Sequence, residues 1–192
     1  MRNGTTNVLI VGVGGQGVIL ASEMLSEVAL RSGLDVKKSE VHGMSQRGGV
    51  VTSHVRFGTK VDSPLIPGGE ADVILGFELA ESLRWIHELA EGGQLIVNSQ
   101  RLVPPITATG KFSYPADATR RIKSRVPKAK VIDAIGIATE LGNPKLVNTI
   151  LLGFLSKSLD LDEKVWLEVI EKMAPKGTAE INRTAFLEGR SR

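Results

Sequence analysis

The chain of 192 residues contains no cysteine and few aromatic residues, and both absences restrict what it can do. Without thiolates it cannot ligate an iron–sulfur cluster through cysteine, form a disulfide or use a cysteine nucleophile. It has three histidines that lack metal-ligand spacing, so we expect no metal site. Aromatic residues make up 4% and hydrophobic residues 42%, so a core must be built mainly from Val, Ile, Leu and Ala.

Concentrated charge and long apolar runs are also scarce. Lys plus Arg number 24 against 21 for Asp plus Glu, a net charge of +3, and we identify no concentrated basic tract. We therefore expect no nucleic-acid partner, because such proteins show a basic stripe or aromatic stacking platforms. No run approaches the roughly 20 apolar residues of a membrane span. The first seven residues lead into no apolar segment typical of a signal peptide, so we expect a cytoplasmic protein without a membrane partner.

Apolar spacing alternates between strand-like and helix-like up to residue 134 and is helical beyond it. Continuous β-branched runs such as N-V-L-I-V-G-V are typical of strands buried on both faces of a parallel sheet. We therefore predict one domain over residues 1–192 with an α/β fold: a doubly wound, mostly parallel sheet, helices on both faces and a helical C-terminal third. The predicted strands are 7–13, 34–40, 50–57, 72–77, 94–98 and 130–134, and the predicted helices are 18–31, 78–91, 116–125, 144–159, 163–173 and 178–187.

The predicted helix 144–159 is apolar around most of its girth, with Leu146, Ile150, Phe154 and Leu159 among its apolar residues. Such a helix cannot leave a wide face in water. We expect the isolated chain to self-associate as a homo-oligomer, or to cover this face within a larger complex. The alternative is that the sheet and the C-terminal helices cover the helix within the chain.

A glycine-rich turn follows the first predicted strand and precedes the first helix. The run G-V-G-G-Q-G at residues 12–17 fits G-x-G-x-x-G in the strand–turn–helix context that the motif requires. Glycines allow the backbone to approach a ligand closely, and the N-terminus of the next helix attracts phosphate. The candidate ligand-binding residues are Gly12, Gly14, Gly15, Gln16 and Gly17. Close packing of a tight turn accounts equally well for the glycines, and the sequence leaves both interpretations open.

Glu40 lies at the end of the second predicted strand, 23 residues beyond Gly17. A dinucleotide-binding fold places a ribose-binding carboxylate near this spacing. A solvated or capping carboxylate at a strand end is the alternative interpretation.

The loop V-H-G-M-S-Q-R-G-G at residues 41–49 combines an imidazole, a hydroxyl, an amide, a guanidinium and three glycines. A guanidinium binds an anion through two hydrogen bonds, and paired glycines permit close backbone approach. The candidate binding residues are Ser45, Gln46, Arg47, Gly48 and Gly49. His42 is a candidate proton donor or acceptor near neutral pH. Contacts with another subunit are the alternative for His42 and Arg47.

Three motifs in order resemble the gamma domain of the pyruvate and 2-oxoacid:ferredoxin oxidoreductases. They are V-G-V-G-G-Q-G-V-I-L-A-S, then S-E-V-H-G-M-S-Q-R-G-G, then S-P-L-I-P-G-G-E-A-D-V-I-L-G-F-E. The resemblance covers nearly the whole chain, and the wording around residues 42–49 is most similar to the small subunit of indolepyruvate:ferredoxin oxidoreductases.

This resemblance implies a division of labour between two chains. A larger partner subunit would hold thiamine diphosphate and the iron–sulfur clusters, decarboxylate an aryl pyruvate, pass electrons to ferredoxin and form an acyl-CoA. The present chain would hold none of these redox cofactors, would contact ferredoxin only indirectly and would be inactive alone. Its glycine turn and residues 45–49 would contact coenzyme A phosphates or the partner subunit.

Two other functions compete with this interpretation. A free-standing dinucleotide-binding oxidoreductase would need a catalytic residue, for which the chain offers His42, Glu78 or His87 without a supporting pattern. A non-catalytic nucleotide-sensing module would need only the glycine turn. The sequence selects neither the 2-oxoacid nor the stoichiometry, because the substrate would bind on the partner.

Overall fold

The computed structural model describes residues 4–43, 49–103 and 113–192, with the backbone alone for His42. The described residues form one six-stranded sheet and helices on both of its faces. The strands are β1 (Thr5–Val13), β2 (Asp35–His42), β3 (Val50–Gly58), β4 (Ala71–Gly76), β5 (Leu89–Asn98) and β6 (Lys130–Ile132). The helices are α1 (Val18–Arg31), α2 (Leu79–Trp85), α3 (Ala118–Arg125), α4 (Ala134–Glu140), α5 (Val147–Ser156), α6 (Glu163–Met173) and α7 (Ala179–Ser191).

The strand order is β2-β3-β1-β4-β5-β6. The pairs β1–β4, β4–β5 and β5–β6 are parallel, whereas β3 runs antiparallel to both β1 and β2. The α/β class is confirmed, and β3 is the one strand that opposes the others. Its direction follows from the short connection after β2, because a parallel neighbour needs a crossover of a dozen or more residues. β3 lies between β2 and β1 and pairs with both.

β1 forms the centre of the core, and all nine of its residues are buried. Val8 and Ile10 face a cluster formed with α1, α4, α5, α6 and α7. Leu9 and Val11 face a second cluster formed with α2 and α3. Because side chains alternate between the two faces of a strand, a strand covered on both faces shows a continuous apolar run.

Several predicted bounds are wrong between β4 and β6. The helix predicted over 78–91 ends at Trp85, a 3₁₀ turn follows at Ile86–Glu88, and β5 begins at Leu89. The glycine pair expected to stop a helix lies inside β5, where Gly92 has a φ of 78° and the pairing with β4 shifts register. The sequence analysis also did not predict α4. Asp133 is the N-cap of this helix, and its side chain accepts a hydrogen bond from the Gly136 N–H.

The expectation that α5 leaves an apolar face uncovered by the chain is wrong. All ten residues of α5 are buried within the chain, against α7, α4 and α1. Gly153 of α5 and Gly189 of α7 lie where the two helices approach most closely. The physical reason offered for self-association is therefore removed, while the oligomeric state itself stays a prediction. Among the described residues, none of the helices combines the length and apolar character that crossing a bilayer requires.

Candidate functional site at the carboxyl edge of the sheet

The glycine turn lies at the carboxyl end of β1, in the edge of the sheet where open α/β folds bind ligands. Gly15 and Gly17 adopt φ values of 98° and 84°, a left-handed conformation that glycine adopts without strain. Gly17 precedes α1, whose first turn has no acidic residue and no capping side chain. The first N–H groups of α1 are thus without a side-chain acceptor at the N-cap, an arrangement that favours an anion.

Gly12 is required by packing rather than by ligand approach. A Cβ there would lie 2.8 Å from Val18 Cγ2 and 2.9 Å from Phe77 Cβ. The packing interpretation of the motif therefore accounts for Gly12, whereas Gly15 and Gly17 are required by backbone conformation.

The side-chain amide of Gln16 is hydrogen-bonded within the chain. Its Oε1 accepts a hydrogen bond from the Val13 N–H at 2.9 Å, and its Nε2 donates to the Phe77 carbonyl at 2.9 Å and to Gln100 Oε1 at 3.0 Å. These bonds join the turn to the ends of β4 and β5. Gln16 therefore holds the shape of the edge, and its amide is already occupied.

Asn98 extends this network of amides. It is fully buried, donates from Nδ2 to the Phe77 carbonyl at 3.2 Å, and accepts from the Ala134 N–H at 3.2 Å. The carboxyl ends of β4 and β5 and the start of α4 are thereby held together. Sequence reasoning missed Asn98, which has no motif.

The two candidate loops meet at one backbone hydrogen bond. The Gly14 N–H donates to the Gly49 carbonyl at 2.8 Å, so the end of the 41–49 loop lies beside the glycine turn. The backbone of His42 pairs with Val51 at the same edge. The side chain of His42 and residues Ser45, Gln46, Arg47 and Gly48 lie outside the described residues, and their roles stay predictions.

Glu40 does not occupy the position of a ribose-binding carboxylate. That position requires β2 beside β1, whereas β3 separates the two strands here. Glu40 instead accepts hydrogen bonds from Lys38 at 2.7 Å and from the Ser22 hydroxyl at 3.1 Å. The carboxylate of Glu40 thus joins β2 to α1, and its spacing from Gly17 does not mark a dinucleotide site.

Glu78 and His87 have structural surroundings rather than catalytic ones. Glu78 is 1% exposed and caps α2, where Oε2 accepts from the Glu81 N–H at 3.0 Å. Its Oε1 accepts from the Leu102 N–H and the Tyr114 hydroxyl. Burial and this hydrogen bond to Glu78 raise the pKa of Tyr114 above its ordinary value. His87 is exposed and stacks on Trp85 at 6.1 Å between ring centroids.

A cleft of about 550 Å³ opens beside the glycine turn. Gly15 and Gly17 line one side, and Lys145, Asn148 and Thr178 contribute to the other. Lys145 is exposed, so it brings a positive charge to the rim of the cleft. This is the part of the site that sequence reasoning missed, because residues 143–182 reach the turn only through the packing of α5 and α7.

Like Asn182, Asn148 is a buried amide that lines this cleft. Only 7% of it is exposed, and its Nδ2 makes no hydrogen bond with any residue that the structure describes. The same amide lies 3.3 Å from the position of a Cβ on Gly17, so it faces the N-terminus of α1. Because Asn148 lines the cleft, this amide can donate to a group bound there, and an anion would accept from it.

The described residues contain no group of three or more His, Cys, Asp or Glu side chains that could hold a metal ion. The arrangement is instead a set of hydrogen-bond donors: backbone N–H groups of α1, the Asn148 amide and the Lys145 ammonium. Such a set can bind an oxyanion.

Comparison with known proteins gives consistent results along the chain. The family model described as pyruvate ferredoxin/flavodoxin oxidoreductase matches residues 7–192. The indolepyruvate oxidoreductase subunit IorB of Thermococcus kodakarensis is 40% identical over 185 residues, covering 94% of this chain and 92% of that protein.

Two solved structures share the fold. The pyruvate oxidoreductase subunit PORC of Thermotoga maritima has a TM-score of 0.75 at 23% identity, covering 99% of this chain and 97% of that one. The 2-oxoglutarate:ferredoxin oxidoreductase of Magnetococcus marinus, solved with 2-oxoglutarate, coenzyme A and succinyl-CoA, has a TM-score of 0.74 at 19% identity. The match covers 99% of this chain but 31% of that one, so the fold there is one part of a longer chain.

Proposed function

This chain belongs to the pyruvate ferredoxin/flavodoxin oxidoreductase family and is a small, gamma-type subunit of a 2-oxoacid:ferredoxin oxidoreductase, and we propose that its complex acts on indolepyruvate or another aryl pyruvate. The support for this substrate class is the 40% identity to an indolepyruvate oxidoreductase subunit across nearly the whole chain. We take residues 1–192 as one gamma-type domain that works in the cytoplasm.

The redox cofactors of the complex are proposed to reside on a larger partner subunit. The observation that carries this division is the absence of cysteine from all 192 residues, since iron–sulfur clusters are held by thiolates. Thiamine diphosphate on the partner would supply the decarboxylation chemistry, and the electrons would pass to ferredoxin. The present chain contributes binding surface and shape.

The cleft beside the glycine turn is proposed to receive the phosphates of coenzyme A. The donors present fit that group, because α1 directs free N–H groups at the cleft, Lys145 supplies positive charge and Asn148 offers an unoccupied amide. Gly15 and Gly17 adopt positive φ values that favour glycine, and because glycine has no side chain, these two positions leave the backbone open to a phosphate. In this role the chain holds and orients a substrate without touching the reacting carbon.

Reconstitution tests the division between the two chains. The purified chain alone is expected to show no indolepyruvate- and CoA-dependent reduction of methyl viologen, and the same chain assembled with its larger partner is expected to show it. The control is the larger partner alone, assayed at the same concentration. Turnover by the isolated small chain would contradict the proposal, as would full activity of the partner without it.

Variants of the cleft test the coenzyme A proposal in the assembled complex. Asn148→Leu and Lys145→Glu each remove a donor from the phosphates, so the KM for coenzyme A is expected to rise by about tenfold, with little change in kcat. Lys164→Glu, an exposed lysine on α6, is the matched control with the same charge change. An unchanged KM for coenzyme A in both cleft variants would refute this role of the cleft.

A further inference from the structure

Positive charge is concentrated on α3 and the turn that follows it. Residues 118–130 contain six of the 24 Lys and Arg residues and none of the 21 Asp and Glu residues. These six exposed cations, called the basic surface below, are Arg120, Arg121, Lys123, Arg125, Lys128 and Lys130. The expectation that the sequence has no concentrated basic tract is therefore wrong. The net charge of the whole chain is only +3, because acidic residues elsewhere in the sequence offset these cations.

The fold holds the basic surface outward. Ala118, Ile122 and Ala129 are buried in the cluster that α2 and α3 share, which anchors one face of the segment. Four of the cations project into solvent along α3, which is about 12 Å long. Lys128 is exposed in the turn that follows, and Lys130 is exposed at the start of β6. Among the described residues, Arg120 pairs with Asp117 at 2.8 Å, and the other five cations have no carboxylate within ion-pair distance. Clustered like charges repel each other, and an acidic partner would relieve that repulsion.

An apolar cleft adjoins the basic surface. About 620 Å³ in volume, it lies between the 3₁₀ turn before β5 and the end of α3, and Leu89, Val126 and Pro127 are among its lining residues. The charged side chains on the same cleft are Arg125, Lys128 and Glu91, so cations outnumber the single carboxylate. An apolar side chain flanked by carboxylates matches this combination, whereas a nucleic-acid backbone would contact the cations alone. The surface therefore fits an acidic protein better than a nucleic acid.

The balance of charge over apolar area indicates a reversible contact. Permanent subunit interfaces are more hydrophobic, and electron-transfer encounters use small, charged contacts that speed association. In the reaction proposed above, the 2-oxoacid and coenzyme A are small molecules, and the electron acceptor is the one reactant that is a protein. The inference consequently rests on the proposed function.

We propose that the basic surface is a docking site for the acidic face of the ferredoxin-class acceptor, which would then contact this chain directly, contrary to the indirect contact that the family resemblance implies. The chain supplies charge and position there. The electron itself passes from a redox centre of the partner subunit to the docked carrier, since this chain has no cysteine to hold a cluster.

Charge reversal in the assembled complex tests this docking site. The variant Arg121→Glu, Lys123→Glu, Arg125→Glu is assayed with a purified acidic ferredoxin and, separately, with methyl viologen, which needs no docking surface. The KM for ferredoxin is expected to rise by about tenfold or more at low ionic strength, with turnover on methyl viologen unchanged. The difference should shrink as salt screens the charges.

The matched control reverses three exposed lysines elsewhere, Lys60→Glu, Lys157→Glu and Lys164→Glu, and should leave the KM for ferredoxin unchanged. An unchanged KM in the α3 variant would overturn the proposal. Loss of viologen turnover together with loss of the larger subunit would overturn it too, since the surface would then be an assembly interface. If the wild-type complex assembles without turnover, the proposed function fails, and calorimetric titration with ferredoxin still decides the docking site.

Discussion

Replacing Gly153 with valine is expected to destabilise the chain by about 3 kcal/mol or more, because α5 and α7 approach too closely for a side chain. A Cβ on Gly153 would meet the Phe186 carbonyl oxygen and lie 2.8 Å from the Arg190 nitrogen. Both are backbone atoms, so relief requires one helix to move. Gly189 of α7 is in the reciprocal position, where a Cβ would lie 2.9 Å from the Ile150 carbonyl carbon.

Urea unfolding of the isolated chain measures this effect through the transition midpoint. Gly153→Ala should give a smaller loss in the same direction, since alanine adds one carbon. Thr184→Val is the matched control, because Thr184 lies on the exposed side of α7 and its substitution adds no bulk to the helix contact. Equal midpoints for the Gly153→Val variant and the wild type would show that the close approach of α5 and α7 is absent in solution.

Replacing Glu78 with alanine is expected to destabilise the chain by about 3 kcal/mol, because several buried donors lose their acceptor. The carboxylate accepts hydrogen bonds from the Glu81 N–H, the Leu102 N–H and the Tyr114 hydroxyl. It thus caps α2 and joins two segments that are distant in sequence. Glu78→Gln retains one acceptor oxygen and should cost less.

Tyr114 gives this variant a second readout, since it is the only tyrosine in the sequence. Burial and the hydrogen bond to the Glu78 carboxylate raise the pKa of Tyr114, so the phenolate forms at higher pH than in a free tyrosine. Removing the carboxylate removes part of that rise, and spectrophotometric titration should show ionisation at lower pH. Glu171→Ala, an exposed carboxylate on α6, is the control for stability. An unaltered titration of Tyr114 in the Glu78→Ala variant would show that the two side chains do not interact.

Local sequence patterns predicted the elements whose apolar residues follow a regular period. The helix predicted over residues 163–173 coincides with α6, and β1 lies within two residues of its predicted start. The prediction failed over residues 86–93, where the same residues suit a helix end or a strand. Pairing with β4 decides that segment, and pairing partners cannot be read from local spacing.

The candidate site was only partly predictable for a related reason. The glycine turn has a motif, and its position between a strand and a helix was confirmed. The structural role of Gln16 depends on the carbonyl of Phe77, which is 61 residues away. Asn148 carries no motif and reaches the turn because α5 packs beside α1.

The sequence by itself determined the α/β class, the strand–turn–helix context of the glycines and the absence of thiolate ligands, because these depend on residue type and local period. The tertiary structure decided three other features. It placed β3 between β1 and β2, which removes Glu40 from a ribose position. It buried α5, and it exposed the cations of α3 on one surface. Each of these depends on which distant segments pack together, and packing is decided by the burial of apolar area over the whole chain rather than by neighbouring residues.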